Sequence, residues 1–240
     1  MTMTNRSPSA PPPPAVQGIL LINKPKGKTS FSLVRELRKL LNVKKIGHAG
    51  TLDPFATGVM VMLIGRDYTR LSDRFLLSDK EYVAQVHLGI VTDTYDCEGQ
   101  ILSRSEKVPS IEEIQQALTF FQGEIEQIPP MFSAKKKQGK KLYELARQGI
   151  EIEREPVKIN VQTELLSFTY PYLELRVKCS KGTYIRSLAY DLGQKLGCGA
   201  HLSNLTRTRS GNFLLENCID GTQLQEPALN LAESLIHLNN

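Results

Sequence analysis

Gly47-His48-Ala49-Gly50-Thr51-Leu52-Asp53-Pro54-Phe55-Ala56-Thr57-Gly58 runs directly into the apolar segment Val59-Met60-Val61-Met62-Leu63-Ile64. The apolar segment reads as a buried strand, and the stretch before it as a polar loop which that strand displays. One carboxylate, Asp53, stands in the loop immediately before a proline. Proline fixes its own φ and drives the preceding residue toward extended geometry. Asp53 is therefore expected on a stiff, non-helical segment with its side chain held away from the backbone. Gly47, Gly50 and Gly58 permit positive φ or the close approach of another chain segment. By themselves these residues fit either a displayed catalytic carboxylate or a turn whose Asp bonds its own backbone.

Working outward, Gly18 to Ile22 reads as a short buried strand leading into the basic turn Asn23-Lys24-Pro25-Lys26-Gly27-Lys28. Thr29 or Ser30 caps a helix whose apolar positions include Phe31, Val34, Leu37 and Leu41. Lys44 and Lys45 follow, just before the Asp53 loop. Tyr82, Ala84, Val86 and Leu88 alternate with Val83, Gln85 and His87 as a strand. Ser110-Ile111-Glu112-Glu113 is a capping box opening a helix with Ile111, Ile114, Leu118 and Phe121 on one face, ended by Gly123. Pro129 and Pro130 break the next segment ahead of a lysine-rich loop, and a short helix from Leu142 to Gln148 stops at Gly149. Leu173, Leu175, Val177 and Cys179 alternate as another strand. Ser180 to Thr183 then turns into a helix facing the core with Ile185, Leu188, Ala189, Leu192 and Leu196. A last helix is expected over Ala228 to Leu238. Strands and helices mix without regular βαβ alternation, which predicts an α+β fold with a mixed, mostly antiparallel sheet.

Composition narrows the function. The chain has 240 residues, 40% hydrophobic and 23% charged, enough for a substantial core. Its longest apolar run falls far short of the roughly 20 residues a membrane helix needs, so no membrane association is expected. Residues 1–17, with Pro11 to Pro14 in a row, lack the basic start and apolar centre of a signal peptide. They read as a disordered or polyproline tail, and the location is expected to be cytoplasmic. The 4 cysteines form no CxxC pair and the 4 histidines show no ligand spacing, so neither a disulfide framework nor a metal site is expected. Thirty Lys and Arg against 25 Asp and Glu give a net charge of +5. Clustered as Lys135, Lys136, Lys137, Lys140 and Lys141, such charge is the footprint of a polyanion partner.

The common cofactor and catalytic motifs are missing: no GxGxxG after a strand, no GxxxxGK[ST], no HExxH, no GxSxG. GHAGTLDPFATGVM, however, resembles the catalytic motif of the TruB family of pseudouridine synthases. Three further segments resemble that family in the right order. They are Asn23 to Ser30; Gln127 to Lys135 with Lys141 to Arg147; and Cys179-Ser180-Lys181-Gly182-Thr183-Tyr184-Ile185-Arg186-Ser187-Leu188. Together they span about residues 18 to 215.

The resemblance implies a pseudouridine synthase fold and isomerisation of uridine 55 in the T-arm of tRNA, without a cofactor. That reaction breaks the N1–C1′ bond, turns the uracil and rejoins it through C5, with no redox change and no net hydrolysis. Asp53 would be the nucleophile; its ordinary pKa of about 3.9 leaves it ionised at neutral pH. By resemblance, Arg186 is its guanidinium partner. Tyr82 stacks on the target uracil and moves a proton, and Tyr184 and Leu205 line the uridine pocket. His48 fills the gap left by the flipped nucleotide, and Lys24 supports the pocket. Residues of about 123–150 would form a basic flap that grips RNA through phosphate contacts. Whether Asp53 attacks C1′ or C6, or a glycal forms by proton loss at C2′, stays open.

The implied organisation is a single catalytic domain over 18–240 without the extra C-terminal RNA-binding (PUA-like) domain that many relatives carry. A monomer acting without a protein partner, unlike the guide-RNA-dependent branch, is expected. The alternative function is an RNA-binding, tRNA-folding chaperone with a vestigial active site. A base-cleaving hydrolase would need two cooperating carboxylates, and the matched catalytic motif holds one.

Overall fold

The computed structural model describes residues 16–133, 135–137 and 139–238; the Pro-rich segment 1–15 lies outside them. In chain order the elements are β1 (Gly18–Lys24), α1 (Ser30–Leu40), β2 (Ile46–Ala49), β3 (Thr57–Ile64), α2 (Arg66–Arg70) and α3 (Ser72–Leu76). They continue with β4 (Lys80–Leu88), β5 (Ile90–Thr92), β6 (Ile101–Arg104), α4 (Ile111–Leu118), β7 (Gly123–Gln127), β8 (Lys136–Lys137), β9 (Lys140–Lys141) and α5 (Leu142–Ala146). The rest are β10 (Val157–Thr169), β11 (Tyr172–Cys179), α6 (Ile185–Leu196), β12 (Ala200–Ser210), β13 (Phe213–Leu214) and β14 (Ile219–Asp220).

One large sheet runs β14-β1-β3-β12-β4-β11-β10-β7, with β2 attached to β3 and β13 to β12. Its pairings are antiparallel except β1 with β14 and β3 with β12. The second exception shapes the molecule. β3 and β12 pair only at Thr57↔Thr206 and Gly58↔Arg207, so the two halves of the sheet join at the exit of the Asp53 loop. Strand β4 buries Tyr82, Ala84, Val86 and Leu88 in strict alternation, and β11 buries Leu173, Leu175, Val177 and Cys179. These side chains meet α6, which buries Ile185, Leu188, Ala189, Leu192 and Leu196 against the same core. Gly197 closes α6 in the left-handed conformation, at φ 69°.

Helix α1 is capped by Thr29, one of the two expected caps, whose side chain accepts from the Ser32 N–H. Several other expectations need correction. The phase that Thr29 sets turns Ser30, Leu33, Val34 and Leu37 inward and leaves Phe31 58% exposed. The capping box at Ser110 is present, but α4 ends at Leu118 in a 3₁₀ turn over Thr119–Phe121, and Gly123 begins β7. The lysine segment is not a plain loop: its backbone forms the hairpin pairs Lys136↔Lys141 and Lys137↔Lys140. The final helix does not form. Residues Ala228 to Leu238 make turns and a strap, with Ile236 paired to Ile19 through N–H···O bonds of 2.9 and 2.8 Å. The outer edge of β1 offers unpaired backbone groups there, and pairing satisfies them while burying Leu231 and Leu235.

Among the described residues, no helix is long and apolar enough to cross a membrane.

Candidate active site

The loop between β2 and β3 is pinned on both sides of Asp53. Before it, Ser30 Oγ donates to the Leu52 carbonyl (3.1 Å) and accepts the Leu52 N–H (3.0 Å). After it, the Pro54 carbonyl accepts from Lys24 Nζ (3.1 Å) and from the Gly27 N–H (2.8 Å). Lys24 also donates to the carbonyls of Lys28 (2.6 Å) and Pro25 (3.0 Å) and is 0% exposed. Burial lowers its pKa from 10.5 to about 8, opposed by the Asp53 charge. Lys24 is thus a buried strut, not a solvated turn lysine.

Gly58, at φ 105°, lies against the partner strand so closely that a Cβ there would stand 2.2 Å from the Arg207 carbonyl oxygen. Only glycine fits. Arg207 itself is 1% exposed and spans the loop: its Nε donates to the Val59 carbonyl (2.7 Å) and its Nη2 to the Gly50 carbonyl (3.1 Å). Both ends of the Asp53 loop therefore hang on one side chain of β12.

Within this frame the Asp53 side chain keeps 37% of its surface open, and its Oδ2 lies 2.9 Å from Arg186 Nε. Arg186, on the first turn of α6, is 6% exposed. Its Nη1 donates to the Thr94 carbonyl (3.1 Å) and to Asp96 Oδ2 (3.3 Å), and its Nη2 to the Phe132 carbonyl (2.7 Å). A cation at a helix start is disfavoured by the helix dipole, and here it is held by two carboxylates and two carbonyls. Asp96 is saturated in turn, its Oδ1 accepting from Thr94 Oγ1 (2.6 Å) and the Glu98 N–H (3.0 Å). Burial raises the Asp53 carboxyl above the ordinary carboxylate range; Arg186 opposes that rise and the Asp96 charge adds to it. The expected unperturbed value for Asp53 is therefore corrected, because burial outweighs the guanidinium.

The other expected residues fall around this centre. Tyr82 is buried on β4, with Val177 and Arg207 as its cross-strand partners. Burial pushes its hydroxyl pKa up, opposed by Arg207. Leu205 is buried on β12 opposite Ala84. Tyr184 is the half-buried N-cap residue of α6. His48 is not in a turn but in β2, paired with Met62. It is half-buried, with no hydrogen-bond partner for Nδ1. Burial and then the Arg207 charge lower its pKa, so the neutral ring is favoured. From the segment leading into the lysine hairpin, the Phe132 carbonyl reaches this centre by accepting from Arg186 Nη2. Lys135 is exposed, and its carbonyl accepts the Leu142 N–H (2.9 Å).

Two residues of the centre escaped sequence reasoning. Asp96 ends the polar run Thr92-Asp93-Thr94-Tyr95-Asp96, a cluster of turn formers after a strand that could have drawn notice. Arg207 shares inward parity with Leu205, and a cation at an inward position was the available signal. Among the described residues, no group of three or more His, Cys, Asp or Glu is placed to hold a metal ion.

Residues 38–185 match the N-terminal domain of the TruB family of pseudouridylate synthases. The chain belongs to that family. A tRNA pseudouridylate synthase B C-terminal domain matches residues 186–237, so the boundary between the two TruB matches falls at Arg186, inside one continuous sheet-and-helix unit. The tRNA pseudouridine synthase B of Protochlamydia amoebophila is 72% identical over 98% of this chain and 89% of its own length. That of Chlamydia muridarum is 61% identical over 93% of each chain. Among solved structures, one described as a Cbf5-Nop10-Gar1 complex superposes with TM-score 0.71 at 31% identity. The match covers 92% of this TruB-family chain and 60% of the solved one. The α+β architecture read from the sequence is the pseudouridine synthase fold.

Proposed function

We propose that this chain isomerises uridine to pseudouridine in tRNA, at position 55 of the T-arm, with Asp53 as nucleophile. One observation carries the reading: the Asp53 carboxylate, partly open to solvent, sits 2.9 Å from a buried guanidinium on a loop braced at both ends. Relatives named tRNA pseudouridine synthase B, at up to 72% identity, support the substrate class.

The chemistry follows from the groups present. The N1–C1′ bond breaks, the uracil turns, the C5–C1′ bond forms, the C5 proton leaves and N1 gains a proton, so composition is conserved. A carboxylate stabilises or captures the electron-poor centre formed on the way. Arg186 aims that carboxylate and favours its charged form, opposing a burial that favours the neutral acid. Tyr82 supplies a flat apolar surface for the uracil, and Tyr184 and Leu205 add pocket walls. His48, neutral and half-buried, suits stacking in the gap left by base extrusion, which costs a few kcal/mol. The basic hairpin supplies phosphate contacts that orient the RNA without reading its sequence. Monomeric action in the cytoplasm without a protein partner belongs to the same proposal.

Asp96 does not turn the site into a two-carboxylate hydrolase. Its side chain is 5% exposed and its oxygens are already engaged, whereas hydrolysis of a glycosidic bond places two reactive carboxyls around it.

The test is incubation with an unmodified tRNA transcript followed by mapping of pseudouridine, alongside Asp53→Asn. Product at the T-arm uridine only with Asp53 intact is expected. Released free uracil would establish a hydrolase, and bound RNA without product a chaperone.

A further inference from the structure

Gln127 is the last residue of β7, at the point where the chain leaves the sheet for the lysine hairpin, and it is 2% exposed. Its amide engages both backbone groups of one residue far along the chain. Oε1 accepts the Tyr184 N–H (2.8 Å) and Nε2 donates to the Tyr184 carbonyl (3.0 Å). This is the pattern a neighbouring strand would supply, delivered by one side chain. Tyr184 has extended dihedrals (φ −101°, ψ 107°), caps α6 without a side-chain hydrogen bond, and stands two residues before Arg186. The next links run the same way: Ser187 Oγ donates to the Ile128 carbonyl (3.1 Å) and Arg186 Nη2 to the Phe132 carbonyl (2.7 Å). The root of the hairpin and the start of α6 are therefore laced together residue by residue.

We propose that Gln127 is a positioning residue, which sets the Arg186 guanidinium against Asp53 by locking the start of α6 to the root of the RNA-gripping hairpin. Among the links, the Gln127 pair is the one that acts on the α6 backbone directly. Ser187 and Arg186 reach out through their own side chains. A glutamine is required because the site needs a donor and an acceptor together on a two-carbon stem. Glutamate keeps the acceptor for the Tyr184 N–H but sets a carboxylate against the Tyr184 carbonyl. Methionine keeps length and volume and offers neither. The inference rests on the proposed role of Asp53.

The experiment compares the full-length protein with Gln127→Glu and Gln127→Met, using a T-arm stem-loop RNA. It measures single-turnover pseudouridine formation, RNA binding and the pH profile of the rate. A misplacement of about 1 Å at a reacting group costs about a hundredfold in rate, so losses of about tenfold to a hundredfold are expected in both variants, with binding nearly unchanged. Because Arg186 opposes the burial-driven rise of the Asp53 pKa, loosening the pair moves the acidic limb of the profile to higher pH. A merely structural role would not move that limb. Should one substitution fail to fold, judged by circular dichroism, the other carries the test. Unaltered rate and unaltered acidic limb in a folded variant overturn this inference alone. A wild-type protein forming no pseudouridine overturns the proposed function and this inference with it.

Discussion

Replacing Arg186 with lysine keeps the positive charge and removes the planar fork. In the native site four acceptors share the guanidinium: Asp53 on Nε, Thr94 and Asp96 on Nη1, and Phe132 on Nη2. A lysine ammonium donates from a single point, so groups now served by separate nitrogens compete for it. The carboxylates win that competition, and the Thr94 and Phe132 carbonyls lose their donor. A fully buried acceptor left unsatisfied costs about 1–3 kcal/mol; these two are part-buried, which puts the expected loss of stability at about 1–3 kcal/mol for the pair. The catalytic loss has a separate origin. Retained charge still favours the ionised form of Asp53, but a carboxylate displaced by about 1 Å loses about a hundredfold in rate. Single-turnover assays on tRNA tritiated at uridine C5 follow the chemistry through the hydrogen released there, and urea denaturation reads stability. A rate within about threefold of wild type, less than about 1 kcal/mol of barrier, would refute the argument that guanidinium geometry aims Asp53.

Lys24→Met probes the buried strut. The folded-state pKa of about 8 lies below the ordinary 10.5, so the folded state sheds its proton first. Native stability relative to Lys24→Met should therefore rise between about pH 8 and 10.5 and be lost as pH falls through 8, a span of up to about 3 kcal/mol. Urea midpoints across that range check it. Gly58→Ala forces an L-residue to φ 105° with its Cβ 2.2 Å from a carbonyl oxygen; the backbone alone costs about 1–2 kcal/mol. Melting should fall and activity with it, because β3 and β12 are pried apart beside Asp53. Replacing Lys135, Lys136 and Lys137 with glutamine should weaken tRNA binding and flatten its salt dependence, by about 0.7–0.9 in log–log slope for each phosphate no longer neutralised. The single-turnover rate at saturating enzyme should hold. Binding that keeps its salt slope would count against the hairpin as an RNA grip.

Local signals carried far in this chain. The alternation of β4 and β11 and the capping box before α4 are each written within a dozen residues, and the backbone follows them. The loop of Asp53 was legible for the same reason: proline and glycine constrain φ wherever the chain goes. The last segment misled because its leucines have helical spacing while its backbone hydrogen bonds are taken by β1. Periodicity records which side chains want burial, not which main chain will satisfy the peptide groups.

The sequence by itself determined the fold class, the family and the stiff loop on which Asp53 stands. These rest on residue types and spacings that keep their meaning in an extended chain. Tertiary structure alone decided what holds the carboxylate. Arg207 reaches Val59 across 148 residues, and Arg186 reaches Asp96 across 90. Arg207 meets Val59 because the halves of the sheet join at Thr57–Gly58 and Thr206–Arg207, and Arg186 meets Asp96 because Asp96 is bridged to Leu202 on the strand that follows α6. Burial there then raises the Asp53 pKa while Arg186 opposes the rise, an electrostatic balance that exists only once the surrounding chain has excluded water.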